Sequence, residues 1–348
     1  MTTIIHRHER RPRTKLRALD PEQFPRGTRS DFFVRMFETA SSGPIDVPFI
    51  VARGAKPGPV VGVTAAIHGN ELNGIRIIHN VIEELDYSSM AGTLIGAPIV
   101  NMPAFHSGVR RFPDGYDLNH TFPGKPAGRS AEQYARAFST VFLGPCQYLI
   151  DIHTASAGRL NTMYVRVDWH DQTARRMAEL MNPEIILHIA GGDGTLRNTA
   201  RQRGIPSITV EAGNPSVFQG RIIYEGETGL RNILIDLGLV RGEVELTRVP
   251  VVCKTSRWLR TTSGGLLDIR FDLADRIEKR QLLARTLDPF GYELMQFTAP
   301  YDGIVIGKAQ YPVAIQGTRF CHLGQLGEPE ALGATGTSAS ADGNRDEQ

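Results

Sequence analysis

Apolar residues along this chain fall into two rhythms. Over residues 60–67 almost every position is apolar and several are β-branched, the pattern of a strand buried on both faces. Ile75, Ile78, Val81, Ile82 and Leu85 then recur at helical spacing. The alternation continues, with strand patterns over 93–100, 147–152, 162–167 and 207–210 and helix patterns over 131–143, 172–181 and 222–237. Residues 44–53 add a strand-like run that ends in a Gly/Pro turn. Strands alternating with helices predict an α/β fold, a mostly parallel or mixed sheet flanked by helices. In such sheets ligands sit outside the carboxyl ends of the strands.

Near Glu243 the texture changes. Apolar residues now come in short runs split by Gly and Pro, over 248–253, 266–269, 304–306 and 313–315, which predicts a small β-rich domain. Beyond Gly324 the chain is Gly, Ala, Ser and acid with little to bury, the composition of a disordered tail. The expected organisation is an N-terminal arm (1–30), a catalytic domain (31–242), a small C-terminal β domain (243–323) and a tail (324–348).

Composition narrows the function without naming it. At 348 residues the chain exceeds the size at which one core stops growing, so a large domain plus a small one is expected. A net charge of +2 with 22% charged residues is that of an ordinary soluble protein. No Lys/Arg stripe with interleaved aromatics suggests nucleic acid, and the basic cluster at 6–15 reads as a solvated arm. No apolar stretch approaches the ~18 residues of a membrane span, and the N-terminus lacks the apolar core of a secretory signal. Cys146, Cys253 and Cys321 form no short C-x-x-C spacing, which suits a reducing cytoplasm.

Three predicted strands end on chemistry. His68-Gly69-Asn70-Glu71 follows the first, and a helical turn from Gly69 would bring His68 and Glu71 to one point. His153 closes another strand, and Asp151 lies two positions earlier on the same face, where a carboxylate can orient the imidazole. Two imidazoles and a carboxylate are the protein half of an open catalytic zinc site. Glu211 ends a third apolar run, where desolvation would favour a proton-accepting carboxylate. A long polar Gly/Pro-rich loop at 110–124 carries Arg110, Arg111, Asn119 and His120. An arginine there could polarise a carbonyl beside the metal, and Asn119 could hold a substrate carboxylate.

The ordered motifs His-x-x-Glu, Asp-Leu-Asn-x-x-Phe, Asp-x-His and Val-Glu-x-Gly resemble the succinylglutamate desuccinylase/aspartoacylase family over about residues 45–240. That family comprises zinc amidohydrolases related in fold to carboxypeptidase A, with a small C-terminal β domain. The resemblance implies one Zn2+ on His68, Glu71 and His153, Glu211 as catalytic acid/base, and Arg111 as the carbonyl-polarising arginine, with Arg110 one residue away. It implies substrate binding by Asn119 and by an arginine just before the Glu211 strand, Arg201 or Arg203. One position departs: the family pattern reads Asp-Leu-Asn-Arg, and His120 stands in the last place. An imidazole cannot reproduce the paired contact of a guanidinium, so the carboxylate-rich family substrates are in question.

The expected function is a cytoplasmic zinc-dependent amidohydrolase cleaving the amide of a small N-acylated amino acid, and a homo-oligomer is compatible with this reading. The alternative is a carboxypeptidase-like enzyme acting on a peptide or isopeptide. A β domain covering the cleft would favour the first and an open groove the second. A third reading is a non-catalytic binding protein that retains the scaffold, which metal analysis and a Glu211→Gln comparison would separate from the other two.

Overall fold

A computed structural model describes residues 12–16, 18–192 and 194–330 of the chain. Its first strands are β1 (Arg13–Thr14), β2 (Thr28–Glu38), β3 (Pro44–Arg53) and β4 (Lys56–Ala65). Helix α1 (Asn73–Glu83) leads to β5 (Ala91–Ala97), then α2 (Met102–Ser107) and α3 (Ser130–Leu143). Next come β6 (Tyr148–His153), β7 (Arg159–Asn161), β8 (Met163–Val167), α4 (Gln172–Leu180) and β9 (Ile185–His188). Helix α5 (Leu196–Gln202), β10 (Ser207–Ala212) and α6 (Gly220–Asp236) complete the α/β part. The remainder is β11 (Val251–Arg260), β12 (Gly265–Ile269), β13 (Arg276–Ile277), β14 (Leu282–Leu287), β15 (Glu293–Thr298), β16 (Gly303–Ala309), β17 (Val313–Ala314) and β18 (Arg319–Leu326).

One large mixed sheet runs β1-β2-β3-β5-β4-β6-β10-β8-β9-β11-β18-β16-β13, with β7 pairing β16. β5, β4, β6 and β10 pair in parallel at its centre, and β8, β9 and β11 form a second parallel run. β8 runs antiparallel to β10, because no crossover helix separates it from β6. Each central strand is buried on both faces, as its continuous apolar run requires. Against one face pack α1, α4 and α6 through Ile75, Ile78, Met177 and Leu230; against the other pack α3 and α5 through Phe138, Phe142 and Leu196. Phe138 stacks on Phe142 at 5.1 Å, and burying a side chain of that size contributes roughly 1.5–3 kcal/mol.

The C-terminal strands divide between two sheets. β11, β18, β16 and β13 extend the large sheet, while β15, β14, β12 and β17 form a separate antiparallel one. The segment expected as a small unit of its own therefore shares a hydrogen-bonded seam with the α/β part, at β9–β11. It also carries on past 323, since β18 ends at Leu326; of the expected tail, 331–348 lies outside the described residues. Within the expected arm, 1–11 and 17 lie outside them too. Arg13–Thr14 there pairs with β2, and Arg13 reaches Asp46 at 2.9 Å. Among the described residues no helix is long and apolar enough to cross a membrane.

Candidate metal centre

The sheet register itself assembles the centre. Glu211 on β10 sits between His153 on β6 and Tyr164 on β8. One row below, Thr64, Asp151, Thr209 and Arg166 follow one another across β4, β6, β10 and β8. Residues two apart on a strand share a face, and His153, Glu211, Tyr164, Thr209 and Arg166 of these two rows line one pocket, with Thr64 and Asp151 buried behind it.

His68 arrives differently. β4 stops at Ala65, and Ala66 takes a left-handed backbone with φ 51°, which turns the chain toward the pocket. Gly69 is required by a close approach: a Cβ there would lie 2.0 Å from the carbonyl carbon of Ala104 on α2. Asn101 fastens the same crossing, donating to the Ile67 carbonyl at 3.0 Å and accepting from the Ala104 N–H at 3.2 Å. The turn closes with the Glu71 N–H donating to the His68 carbonyl.

His68, Glu71 and His153 converge, all buried. His68 Nδ1 lies 2.8 Å from Glu71 Oε1, His153 Nδ1 lies 3.0 Å from Glu71 Oε2, and the two Nδ1 atoms are 3.3 Å apart. That last spacing matches the edge of a tetrahedron with metal–nitrogen bonds of about 2.0–2.1 Å. Each imidazole presents its other nitrogen to a carboxylate: His68 Nε2 to Asp117 at 3.0 Å, His153 Nε2 to Asp151 at 2.9 Å. Thr64 donates to the second Asp151 oxygen at 2.6 Å. Ligating histidines characteristically carry such carboxylate partners. The donor set, two imidazoles and one carboxylate with their outer nitrogens anchored, fits a catalytic zinc ion with an open position.

The charges are tightly coupled. Burial and the Arg110 charge act against a protonated His68, yet Glu71 and Asp117 outweigh them and raise its pKa. Burial likewise opposes protonation of His153, but Asp151 and Glu71 raise it well above the ordinary value. Glu71 and Asp117 are penalised by burial and still held far below the usual carboxylate range, Glu71 by both imidazoles and Asp117 by His68 and Arg110.

The two adjacent loop arginines are placed differently. Arg111 is exposed and donates to the Gly115 carbonyl within its own loop. Arg110 reaches the cluster: Nη1 lies 3.0 Å from Glu71 Oε1, 3.2 Å from His68 Nδ1 and 3.0 Å from Ser156 Oγ. Its other edge is pinned to Asp117 Oδ2 at 2.9 Å.

The arginines expected before the Glu211 strand, Arg201 and Arg203, sit away from the cluster. Arg203 donates to the Ser139 carbonyl on α3, and Arg201 contacts Asn198 and Asp168; neither lines the pocket. Arg197, one helical turn earlier on α5, does line it and is buried. Burial, then Arg166, lowers its pKa to about 10, still cationic at neutral pH. Asn119 and the exposed His120 line the pocket from the short turn Leu118–His120. The Asn119 side-chain oxygen accepts from the Leu196 N–H at 3.0 Å, which ties that turn to the start of α5.

Glu211 is buried and not alone. Arg166 Nη2 stands 3.0 Å from its Oε1 and 2.7 Å from the Tyr164 hydroxyl. The apolar setting expected for this carboxylate thus includes a cation, delivered by the neighbouring strand. The sequence motifs included Asp117 without its contact to His68, and did not point to Ser156, Tyr164, Arg166, Arg197 or the far wall formed by Trp258 on β11 and His322 on β18. Those two rings stack at 4.9 Å with 11° between planes, and the Arg159 guanidinium lies 5.0 Å from the Trp258 ring centre. The alternation of Arg166 with Tyr164 on one strand face was an available signal.

Known proteins agree with this architecture. N-α-acetyl-L-2,4-diaminobutyric acid deacetylase of Halomonas elongata is 27% identical over 291 residues, 78% of this chain and 83% of that protein. The product-bound ectoine utilization protein EutE (DoeB) of Ruegeria pomeroyi has the same fold, with TM-score 0.77 at 23% identity, covering 86% of this chain and 95% of that one. A succinylglutamate desuccinylase/aspartoacylase of Rhodobacter sphaeroides superposes with TM-score 0.77 at 22% identity, covering 89% and 98%. Residues 57–237, more than half of the chain, match the succinylglutamate desuccinylase/aspartoacylase catalytic domain. The match begins in the strand that leads to His68 and ends beyond the one that carries Glu211, and the chain accordingly belongs to the succinylglutamate desuccinylase/aspartoacylase family.

Proposed function

We propose that this protein is a zinc-dependent deacylase that hydrolyses the amide of a small N-acylated amino acid. The observation that carries the reading is the inward turn of His68 Nδ1, His153 Nδ1 and both Glu71 oxygens, with the outer imidazole nitrogens held by Asp117 and Asp151. Zinc held there supplies Lewis acidity toward water and the amide carbonyl. Arg110, at the edge of the cluster, stabilises the negative charge that develops on the carbonyl oxygen. Glu211 accepts the proton of the attacking water and delivers it to the leaving nitrogen, and Arg166 orients its carboxylate. Arg197 holds the α-carboxylate of the amino acid half.

The relative from Halomonas elongata, named for removal of an acetyl group from a diamino acid, supports an N-acyl amino acid substrate. Trp258 and His322 close one side of the pocket, which supports a small substrate over the peptide alternative. The three cysteines are buried and unpaired, which supports a reducing, cytoplasmic setting. The test is Glu211→Gln in zinc-loaded protein assayed against a panel of N-acetyl amino acids. The amide keeps the size and loses the proton carrier, so zinc content should stay and turnover fall by at least ~100-fold. Turnover near wild type would remove Glu211 from the mechanism.

A further inference from the structure

The pocket has a side that holds none of the metal-cluster residues. Glu211 separates two flanks: His153 and the metal cluster on the β6 side, Tyr164 and Arg166 on the β8 side. If the scissile carbonyl faces the cluster and its nitrogen faces Glu211, the amino acid half extends toward β8. Asn161, at the end of β7 just before β8, lines the pocket on that flank. Its backbone N–H donates to Asn214 Oδ1, which follows the Glu211 strand, at 3.2 Å.

Asn161 is 7% exposed, and its side-chain oxygen has no hydrogen-bond partner among the described residues. A buried amide oxygen left unpaired is costly, so native proteins rarely keep one without a use. The opposing strand makes room for it. Asn161 pairs with Gly307 on β16, and a Cβ on Gly307 would lie 2.4 Å from Asn161 Oδ1. The neighbouring wall is the Trp258–His322 stack, with the Arg159 guanidinium 5.0 Å from the Trp258 ring centre.

We propose that Asn161 is a specificity-determining residue, whose amide oxygen accepts a hydrogen bond from an N–H group on the side chain of the substrate's amino acid half. The preferred substrates are then N-acyl amino acids ending in an amine or carboxamide. A side-chain carboxylate would set lone pairs against lone pairs. The inference rests on the deacylase reading above and adds the chemistry of the side chain.

Steady-state assays with N-acetylglutamine, N-acetylglutamate and N-acetylnorleucine separate the two. Wild-type protein should favour N-acetylglutamine over N-acetylglutamate by about tenfold or more in kcat/KM, the scale of one hydrogen bond. Asn161→Leu should erase that preference and leave N-acetylnorleucine within about threefold of its wild-type rate. Gly307→Ala should weaken the preference as well, by displacing the amide without removing it. Should Asn161→Leu not fold, the near-isosteric Asn161→Asp decides: it should hold or raise the rate on N-α-acetyl-2,4-diaminobutyrate while losing N-acetylglutamate further. Equal wild-type rates on the glutamine and glutamate compounds, or a ratio unchanged in Asn161→Leu, overturn the proposal, while hydrolysis of N-acetylnorleucine in the same samples leaves the deacylase reading standing. Failure to hydrolyse any compound overturns both.

Discussion

His68 Nε2 lies 3.0 Å from Asp117 Oδ1, while the opposite nitrogen of the same ring faces Glu71 at 2.8 Å. Asp117 belongs to the loop that also carries Arg110, and it grips that guanidinium with its second oxygen. One carboxylate thus holds both the outer nitrogen of the His68 imidazole and the reach of the arginine over the cluster. Asp117→Asn keeps the shape and removes the charge. Zinc affinity, measured by competition with a chromophoric chelator, should fall by ~10–100-fold. Unchanged affinity would reduce Asp117 to a loop-capping residue, a part it also plays through the Asn119 N–H.

A second prediction concerns protons. In the metal-free protein His68 is raised and His153 raised well above the ordinary imidazole value, so both carry protons to higher pH than usual. Zinc must displace them, and its affinity should therefore weaken as pH falls through those raised values. Calorimetry in buffers of different ionisation enthalpy should register release of more than one proton per zinc near pH 7. A buffer-independent heat would contradict the charged cluster. The same pairs set metal-free stability. The imidazole contribution is complete below the unfolded value of ~6.5 and lost as pH rises through the folded one. The depressed Glu71 and Asp117 instead contribute above the usual carboxylate range and lose that contribution in acid.

The two adjacent loop arginines should behave as opposites. Arg110→Ala removes a cation 3.0 Å from Glu71 and should lower kcat by ~100-fold or more. Arg111→Ala removes an exposed side chain bound to its own loop and should leave kcat within about threefold. Comparable losses in the two variants would show that the loop rearranges around substrate.

These outcomes also mark where the residue pattern stopped being informative. His68, Glu71, His153 and Glu211 were legible because continuous apolar runs announce buried strands, and polar residues at the ends of such runs stand out. Inside the 110–124 loop no periodicity exists, so one residue of register separated Arg111 from Arg110. The place of Arg197 was hidden for a related reason. The helix at 196–202 is short and largely polar in sequence, with only Leu196 and Ala200 to mark its buried face and nothing to show that Arg197 beside them enters the pocket. The C-terminal strands were recognisable as short β-runs, but pairing between strands distant in sequence, such as β9 with β11, leaves no local trace. For that reason the Trp258 and His322 wall came only from the structure.

Arg197 provides the last test. It is buried on α5, donates to the Ile189 carbonyl at 3.0 Å and lines the pocket beside the Glu211 strand. A buried guanidinium that stays charged is expensive to maintain, and an anionic substrate group would offset that cost. Arg197→Lys keeps the charge but forfeits the paired geometry, a loss of ~1.5–3 kcal/mol that corresponds to roughly 10–100-fold in KM. The effect should appear for N-acetyl amino acids and vanish for their α-carboxamides, which lack the anion. Arg201→Ala, on the same helix but turned toward Asp168, should leave KM for both sets within about twofold. If Arg201→Ala raises KM and Arg197→Lys does not, the α-carboxylate is held by the outer arginine, and the residue order expected from the family resemblance should be restored.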